Sequence, residues 1–164
     1  FVAVWPTDEV LDAVAALPRP AHPGLRWTTR DQWHVTLRFL GSVEDVDGAR
    51  AALCGVAAAA ADVEVGPEVG RFGRRILHVP TAGLDAIAAA TVQAMRNIGE
   101  PSDPRPFHGH LTLARSGRGG ADLRALAGAP ISGRWRAREV TLVRSHLGGG
   151  VGARYEVIER VPLT

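Results

Sequence analysis

The sequence predicts an α+β fold made of two antiparallel β-sheets with helices on their outer faces. Apolar residues alternate in the manner of strands through much of the chain, and helical stripes interrupt them without the strict βαβ rhythm that builds parallel sheets. One tetrad also occurs twice, as His34-Val35-Thr36-Leu37 and as His110-Leu111-Thr112-Leu113. The copies stand close to half the 164-residue length apart, as expected of two structurally similar halves that each contribute one strand. With 46% hydrophobic residues the chain can bury one substantial core, so residues 1–164 are expected to form a single domain.

Phe1 to Trp5 has the composition of a buried strand. Pro6-Thr7-Asp8-Glu9 then opens a helix, with Thr7 as cap, acids in the first turn, and Val10, Leu11, Val14 and Leu17 as its apolar stripe. The proline-rich stretch Pro18 to Gly24 is a loop, after which Arg26-Trp27 and Trp33 to Leu40 are predicted strands ending at Gly41, with the first tetrad mid-strand. Ser42 is the predicted cap of a helix running to about Ala61, with Val43, Val46, Ala49, Leu53, Val56 and Ala60 at the spacing of a helix packed on a sheet. Val63 and Val65, then Ile76 to Val79, form a strand pair joined by the Gly/Pro-rich segment Gly66 to Gly73. Leu84, Ile87, Ala88, Thr91, Met95 and Ile98 mark the stripe of a second long helix stopped by Gly99. Glu100 to Pro106 is an exposed loop leading into the second tetrad strand, which ends in the turn Ser116 to Gly120. Asp122 to Leu126 is a short helix. Arg134 to Leu147 and Arg154 to Val161 are strands joined by Gly148 to Gly152, a glycine loop that lacks a following helix and so is no dinucleotide fingerprint.

The period of two in a strand turns His and Thr of each tetrad to one face and the two apolar residues to the other. Side by side, two such strands would converge two imidazoles and two hydroxyls on one small volume, a donor-rich cleft suited to phosphate oxygens. A single His-x-Thr-x is ordinary half-buried strand; its recurrence is what argues for chemistry. His34 and His110 are therefore the candidate proton carriers, and Thr36 and Thr112 the candidate holders of nonbridging phosphate oxygens. By parity Arg38 shares the face of His34 and Thr36, whereas Arg115 falls opposite His110 unless a bulge near Ala114 turns it. Phe39, Phe107, Trp33 and Tyr155 are candidates for stacking on a base, against the usual fate of strand aromatics as core. His108 and His110 form a rival His-x-His metal pair, but a third ligand is wanting, so no metal is expected. His22, His78 and His146 read as loop or strand residues.

All 19 basic residues are arginine. Without lysine there is no Walker A loop, no Schiff base and no adenylated-lysine ligase chemistry. The net charge of +2 is small, yet clustered arginines would form a permanent positive surface for phosphates. The lone Cys54, in an apolar helical run, is expected to be a small buried hydrophobe, in keeping with a reducing, cytoplasmic compartment. No apolar run reaches membrane-spanning length, and the first ends at Pro6, too short for a signal-peptide core. The sequence opens at Phe1, so further residues are expected before it, and a monomer is expected.

The sequence resembles the two-histidine phosphoesterases, specifically the RNA 2',3'-cyclic phosphodiesterase branch, historically called 2'-5' RNA ligases. The resemblance covers nearly the whole chain: Phe1 to Val4, Arg26-Trp27, His34 to Gly41, Arg105 to Phe107, His110 to Arg115, Ser145 to Leu147, and Tyr155 to Val157. His108-Gly109 departs from it, since relatives more often carry a proline next to the histidine. The resemblance implies a bilobal architecture with both motifs in a cleft between the lobes. It implies hydrolysis, with no metal or cofactor, of a terminal 2',3'-cyclic phosphate on RNA or an oligonucleotide to a 2'-phosphate, with reversible ligation as a side activity. It further implies that His34 donates a proton to the departing O3', that His110 takes one from water, and that Arg115 contacts the phosphate. The alternatives are a noncatalytic RNA-binding module of the same fold and a phosphodiesterase for 2'-5' oligonucleotides or other cyclic nucleotides.

Overall fold

The computed structural model describes residues 1–146 and 152–164. In it the predicted alternation becomes ten strands: β1 (Val2–Val4), β2 (Leu25–Trp27), β3 (Val35–Arg38), β4 (Ala61–Val65), β5 (Gly70–Phe72), β6 (Ile76–Ala82), β7 (His110–Ser116), β8 (Gly133–Ala137), β9 (Glu139–His146) and β10 (Arg154–Pro162). Three α-helices accompany them, α1 (Asp8–Ala15), α2 (Val46–Cys54) and α3 (Asp85–Ala94). Every described strand pair is antiparallel, and the order runs β10-β9-β1-β3-β7-β6-β4-β8, with β2 also on β7 and β5 on β6. The class is α+β, as predicted. The two tetrad strands, β3 and β7, meet at the centre of this order. They are joined by the single pairing Val35↔Leu111, which links the two predicted sheets into one path. Val35, Leu37, Leu111 and Leu113 are all buried, and α3 packs beneath β3 on that apolar side, leaving the histidine side open.

The elements depart most from the sequence-based expectation at three places, each with a physical cause. The predicted strand Arg134 to Leu147 is two strands. Trp135 and Ala137 are buried at alternate positions, whereas Val140, Thr141, Leu142 and Val143 are all buried, so a strand covered on one face gives way after Arg138 to one covered on both. β8 accordingly pairs with β4 at one end of the sheet while β9 pairs with β1 and β10 at the other. The helix predicted from Ser42 to Ala61 is α2 alone. It begins at Asp45, whose carboxylate accepts the Gly48 N–H at 2.8 Å. The alanine-rich stretch after it is extended, because Ala58 and Ala60 exchange backbone hydrogen bonds with Thr164; tertiary pairing overrides the helix preference of alanine. Cys54, at the end of α2, is exposed and not buried, since Ala49 and Leu53 occupy the inward stripe. Third, β5 lies inside the segment predicted to be only a connection. The predicted Gly148 to Gly152 loop lies, but for Gly152, outside the described residues. No helix among the described residues is long and apolar enough to cross a membrane.

Candidate active site

Both histidines sit where a strand begins: His34 immediately before β3, His110 as the first residue of β7. Each is fixed in the same way. His34 Nδ1 lies 2.8 Å from the Gln32 carbonyl and His110 Nδ1 lies 2.8 Å from the His108 carbonyl, in both cases the residue two positions back. A carbonyl can only accept, so Nδ1 carries the hydrogen in both rings and Nε2 is left with a lone pair. Gln32 ends a 3-10 turn (Arg30–Gln32), and its side chain donates to the Ala153 carbonyl at 2.6 Å, which ties the start of β10 to the His34 anchor. Gly109, between the His108 carbonyl and His110, lies against Thr81: a Cβ there would stand 2.5 Å from Thr81 Oγ1, so the sequence places its smallest residue at this approach. Continuing the Val35↔Leu111 register by one residue each way sets His34 opposite Thr112 and Thr36 opposite His110. The structure thus brings together all four residues of the repeated pattern, crosswise.

A β-bulge comes directly after each threonine. Along β7, Leu77 pairs with Ala114 but His78 pairs with Thr112, so Leu113 is an extra residue. Along β3, Val2 pairs with Arg38 but Ala3 pairs with Thr36, so Leu37 is extra. A bulge of this kind turns two successive side chains to one side. Leu113 and Ala114 are both buried, and so are Leu37 and Arg38. The next residue is then returned to the histidine face: Arg115 in one motif and Phe39 in the other. Arg115 is exposed, and its charge acts on His34, His110 and Tyr155 alike. Phe39 is 67% exposed, its ring 6.1 Å from that of Phe1.

Arg38 corrects the parity prediction. The bulge sends it to the apolar side, 4% exposed, where its guanidinium donates to the carbonyls of Val92, Ile98 and Glu100 at 3.1–3.2 Å. It closes the C-terminal end of α3 and takes no part in the cleft. Arg38→Ala would strand these carbonyls, so a loss of about 3 kcal/mol is expected, or roughly 6–12 °C in Tm for a chain of this length. Thermal unfolding checks this, and an unchanged Tm would remove the structural role.

The two histidines differ in surroundings. His34 is walled by aromatic rings, with Phe1 stacked at 4.8 Å, Trp5 at 5.0 Å and Tyr155 edge-on at 5.0 Å. Burial pushes its pKa down to about 4, aided by the charges of Arg115 and His110 and opposed by the Gln32 hydrogen bond. Burial also lowers His110, with Arg115 acting in the same direction and the His108 carbonyl opposing. The Tyr155 phenol is raised by burial. On the far side of His110 stand two residues that the sequence pattern does not assign to the site. His78, buried and pushed down to about 4 by burial and by the His110 charge, lies 5.5 Å from His110. Phe72 stacks on His78 at 4.0 Å and meets His110 edge-on at 5.0 Å. With Thr81, Phe107 and His108 they line a recess of about 300 Å³ beside His110.

Of the other candidates, Tyr155 is in the cleft and Phe107 in the recess, but Trp33 is core: it is 2% exposed, donates to Thr28 Oγ1 at 2.9 Å and carries the Arg19 guanidinium 4.6 Å above its ring. His22 bonds the Pro23 carbonyl and His146 meets Glu156 at 2.8 Å, both away from the pair. The His108 contribution to His110 is its carbonyl. Among the described residues no three His, Cys, Asp or Glu side chains are grouped as a ligand set.

Known proteins are similar to this chain in sequence and in fold. A family model described as the 2'-5' RNA ligase superfamily matches residues 6–149. A Geobacillus stearothermophilus protein named RNA 2',3'-cyclic phosphodiesterase is 29% identical over 181 aligned residues, covering 99% of this chain and 56% of that protein. A Bacillus subtilis protein of the same name is 30% identical over 120 residues, covering 64% of this chain and 63% of that one. The chain thus spans only 56% and 63% of the length of these two relatives. Among solved structures, TT0787 of Thermus thermophilus has a TM-score of 0.78 at 24% identity, covering 99% of this chain and 96% of that one. E. coli LigT complexed with 3'-AMP has a TM-score of 0.76 at 26% identity, covering 100% and 97%.

Proposed function

The chain belongs to the 2'-5' RNA ligase superfamily, and on that premise we propose that it is an RNA 2',3'-cyclic phosphodiesterase working by metal-independent acid–base catalysis between His34 and His110. The observation that carries the reading is the matched anchoring of the two rings. Each Nδ1 is committed to a carbonyl, so each Nε2 is available for proton transfer and its tautomer is already set. A phosphate between the rings would meet Thr36 and Thr112, with Arg115 supplying the charge that offsets its oxygens.

Water attacks phosphorus as His110 Nε2 accepts its proton. The P–O3' bond breaks as protonated His34 delivers a proton to O3'. The product is a 2'-phosphate with a free 3'-hydroxyl, and the two rings have exchanged protonation states. Phe39 and Tyr155 are proposed contacts for the adjoining nucleoside. The two halves, each with its tetrad and its bulge, act as one domain of two related lobes, and the RNA end is the partner.

A substrate panel in the presence of a strong chelator tests this: a 2',3'-cyclic mononucleotide, RNA ending in a cyclic phosphate, and a 2'-5' dinucleotide. Hydrolysis of the cyclic phosphates to 2'-phosphates, undiminished by chelation, is the expected result. Activity that vanished with chelation and returned with zinc or manganese would overturn the metal-free mechanism, and cleavage of the 2'-5' dinucleotide alone would move the substrate class.

A further inference from the structure

Five of the arginines that make no ion pair among the described residues are gathered at one place. Arg26 and Arg115 stand directly opposite each other across the β2–β7 pair. The loops continuing β6 and β7 bring Arg74, Arg75 and Arg118 to the same end of these strands. There the Arg75 carbonyl accepts the Ser116 N–H and the Arg74 carbonyl the Ala121 N–H, each at 2.9 Å, while Arg75 Nη2 donates to the Arg118 carbonyl at 3.3 Å. All five residues are exposed. The ion pairs among the described residues engage Arg30, Arg50, Arg105, Arg134, Arg136, Arg144 and Arg160 instead. Asp122, the acid nearest in sequence, accepts the Arg124 N–H. Like charges directly opposite each other across an antiparallel pair are destabilising, and a guanidinium cannot relieve them by losing its proton. The cluster is a burden on the folded chain that a bound polyanion would offset.

We propose that these arginines form a track for the phosphate backbone of a single-stranded RNA whose reacting end lies between His34 and His110. The inference rests on the reading of the cleft given above and adds the substrate class: an oligonucleotide several residues long, in preference to a free cyclic mononucleotide. At ~3.3 Å per residue, β7 runs from His110 to Ser116 over roughly 20 Å, space for more than the terminal nucleotide. Phe72, 40% exposed and 5.0 Å from His110, stands on the neighbouring hairpin as a platform on which a base can stack. A positive groove interleaved with aromatic rings is the general means of holding single strands without reading their sequence.

The test is equilibrium binding of an RNA octamer ending in a 2'-phosphate, and of the corresponding 2'-phosphate mononucleotide, across a range of salt concentrations. For the octamer, log K falls with log salt by about 0.7 per phosphate neutralised. The combined variant Arg74→Gln, Arg75→Gln, Arg118→Gln is expected to reduce that slope by about 2 and to weaken octamer binding at least tenfold at low salt. The matching lysine variant, which keeps the charges, retains the slope and controls for folding. An unchanged slope in the glutamine variant overturns the track, and so does an octamer slope no steeper than that of the mononucleotide. Hydrolysis of RNA ending in a 2',3'-cyclic phosphate by the unaltered protein is read separately. Its failure would overturn the phosphodiesterase reading while leaving the binding result to decide the track.

Discussion

His34→Ala and His110→Ala are each expected to lower turnover by roughly 10²–10⁴-fold, the range for losing a positioned proton carrier, with the fold retained. The roles separate with a cyclic phosphorothiolate carrying sulfur at the 3' position, because a thiolate departs without the proton an alkoxide requires. That substrate should rescue His34→Ala and not His110→Ala; the reverse pattern would exchange the roles, and a near-normal rate in either variant on the ordinary substrate would remove that histidine from the mechanism. The pH dependence follows from burial. The cycle needs one ring charged and one neutral, and both pKa values in the free protein lie below the ordinary imidazole value of 6.5, His34 at about 4. The kcat/KM profile should therefore be a bell rising near 4 and already descending below 6.5, since above both values neither ring holds the proton to be donated. The kcat profile should lie at higher pH, because a bound phosphodiester anion favours the imidazolium. A kcat/KM optimum above pH 7 would mean that burial does not govern these rings.

Arg115→Ala is expected to lower kcat/KM by about 10²–10³-fold, the usual effect of removing one preorganised donor to transition-state charge. Tm should hardly move, because Arg115 is exposed and its neighbour across the strand is another cation. Arg38→Ala should show the opposite behaviour, a lowered Tm with kcat/KM of the folded protein within a few-fold. Negligible kinetic effects from both would send the search for a phosphate anchor to Arg26. The contrast is sharp because family resemblance favours Arg115 and simple strand parity favours Arg38, and the bulges decide between them.

Those bulges also explain what could be learned from the sequence. The period of two placed His34 with Thr36 and His110 with Thr112 correctly, because no irregularity intervenes within either tetrad. One residue beyond, the counting fails in both motifs for one cause: Leu37 and Leu113 are each an additional residue against their partner strands, and nothing in their identity announces it. The change from alternating Trp135 and Ala137 to the continuous run Val140-Thr141-Leu142-Val143 stands in the sequence and marks the division of β8 from β9. The alanines after α2 gave a false signal, since their pairing with Thr164 depends on chain distant in sequence. His78 reads in the sequence as an ordinary loop or strand residue, and Phe72 lies in the segment predicted to be only a connection. Only the registers Gly70↔His78 and His78↔Thr112 set them beside His110, and Gly70 leaves room for the His78 ring.

The order of strands constrains how this chain can be assembled during synthesis. β1 lies between β3 and β9, so its three buried residues, Val2, Ala3 and Val4, acquire a second neighbour only after Glu139 to His146 have left the ribosome. Until then a short, wholly apolar edge stays open to pairing with other chains. β4 is in the same position with respect to β8, at the opposite end of the sheet. A nascent chain halted between Ser116 and Gly133 holds both tetrads and neither finished flank, so the two tetrad strands gain their full set of neighbours only when the last strands have been made.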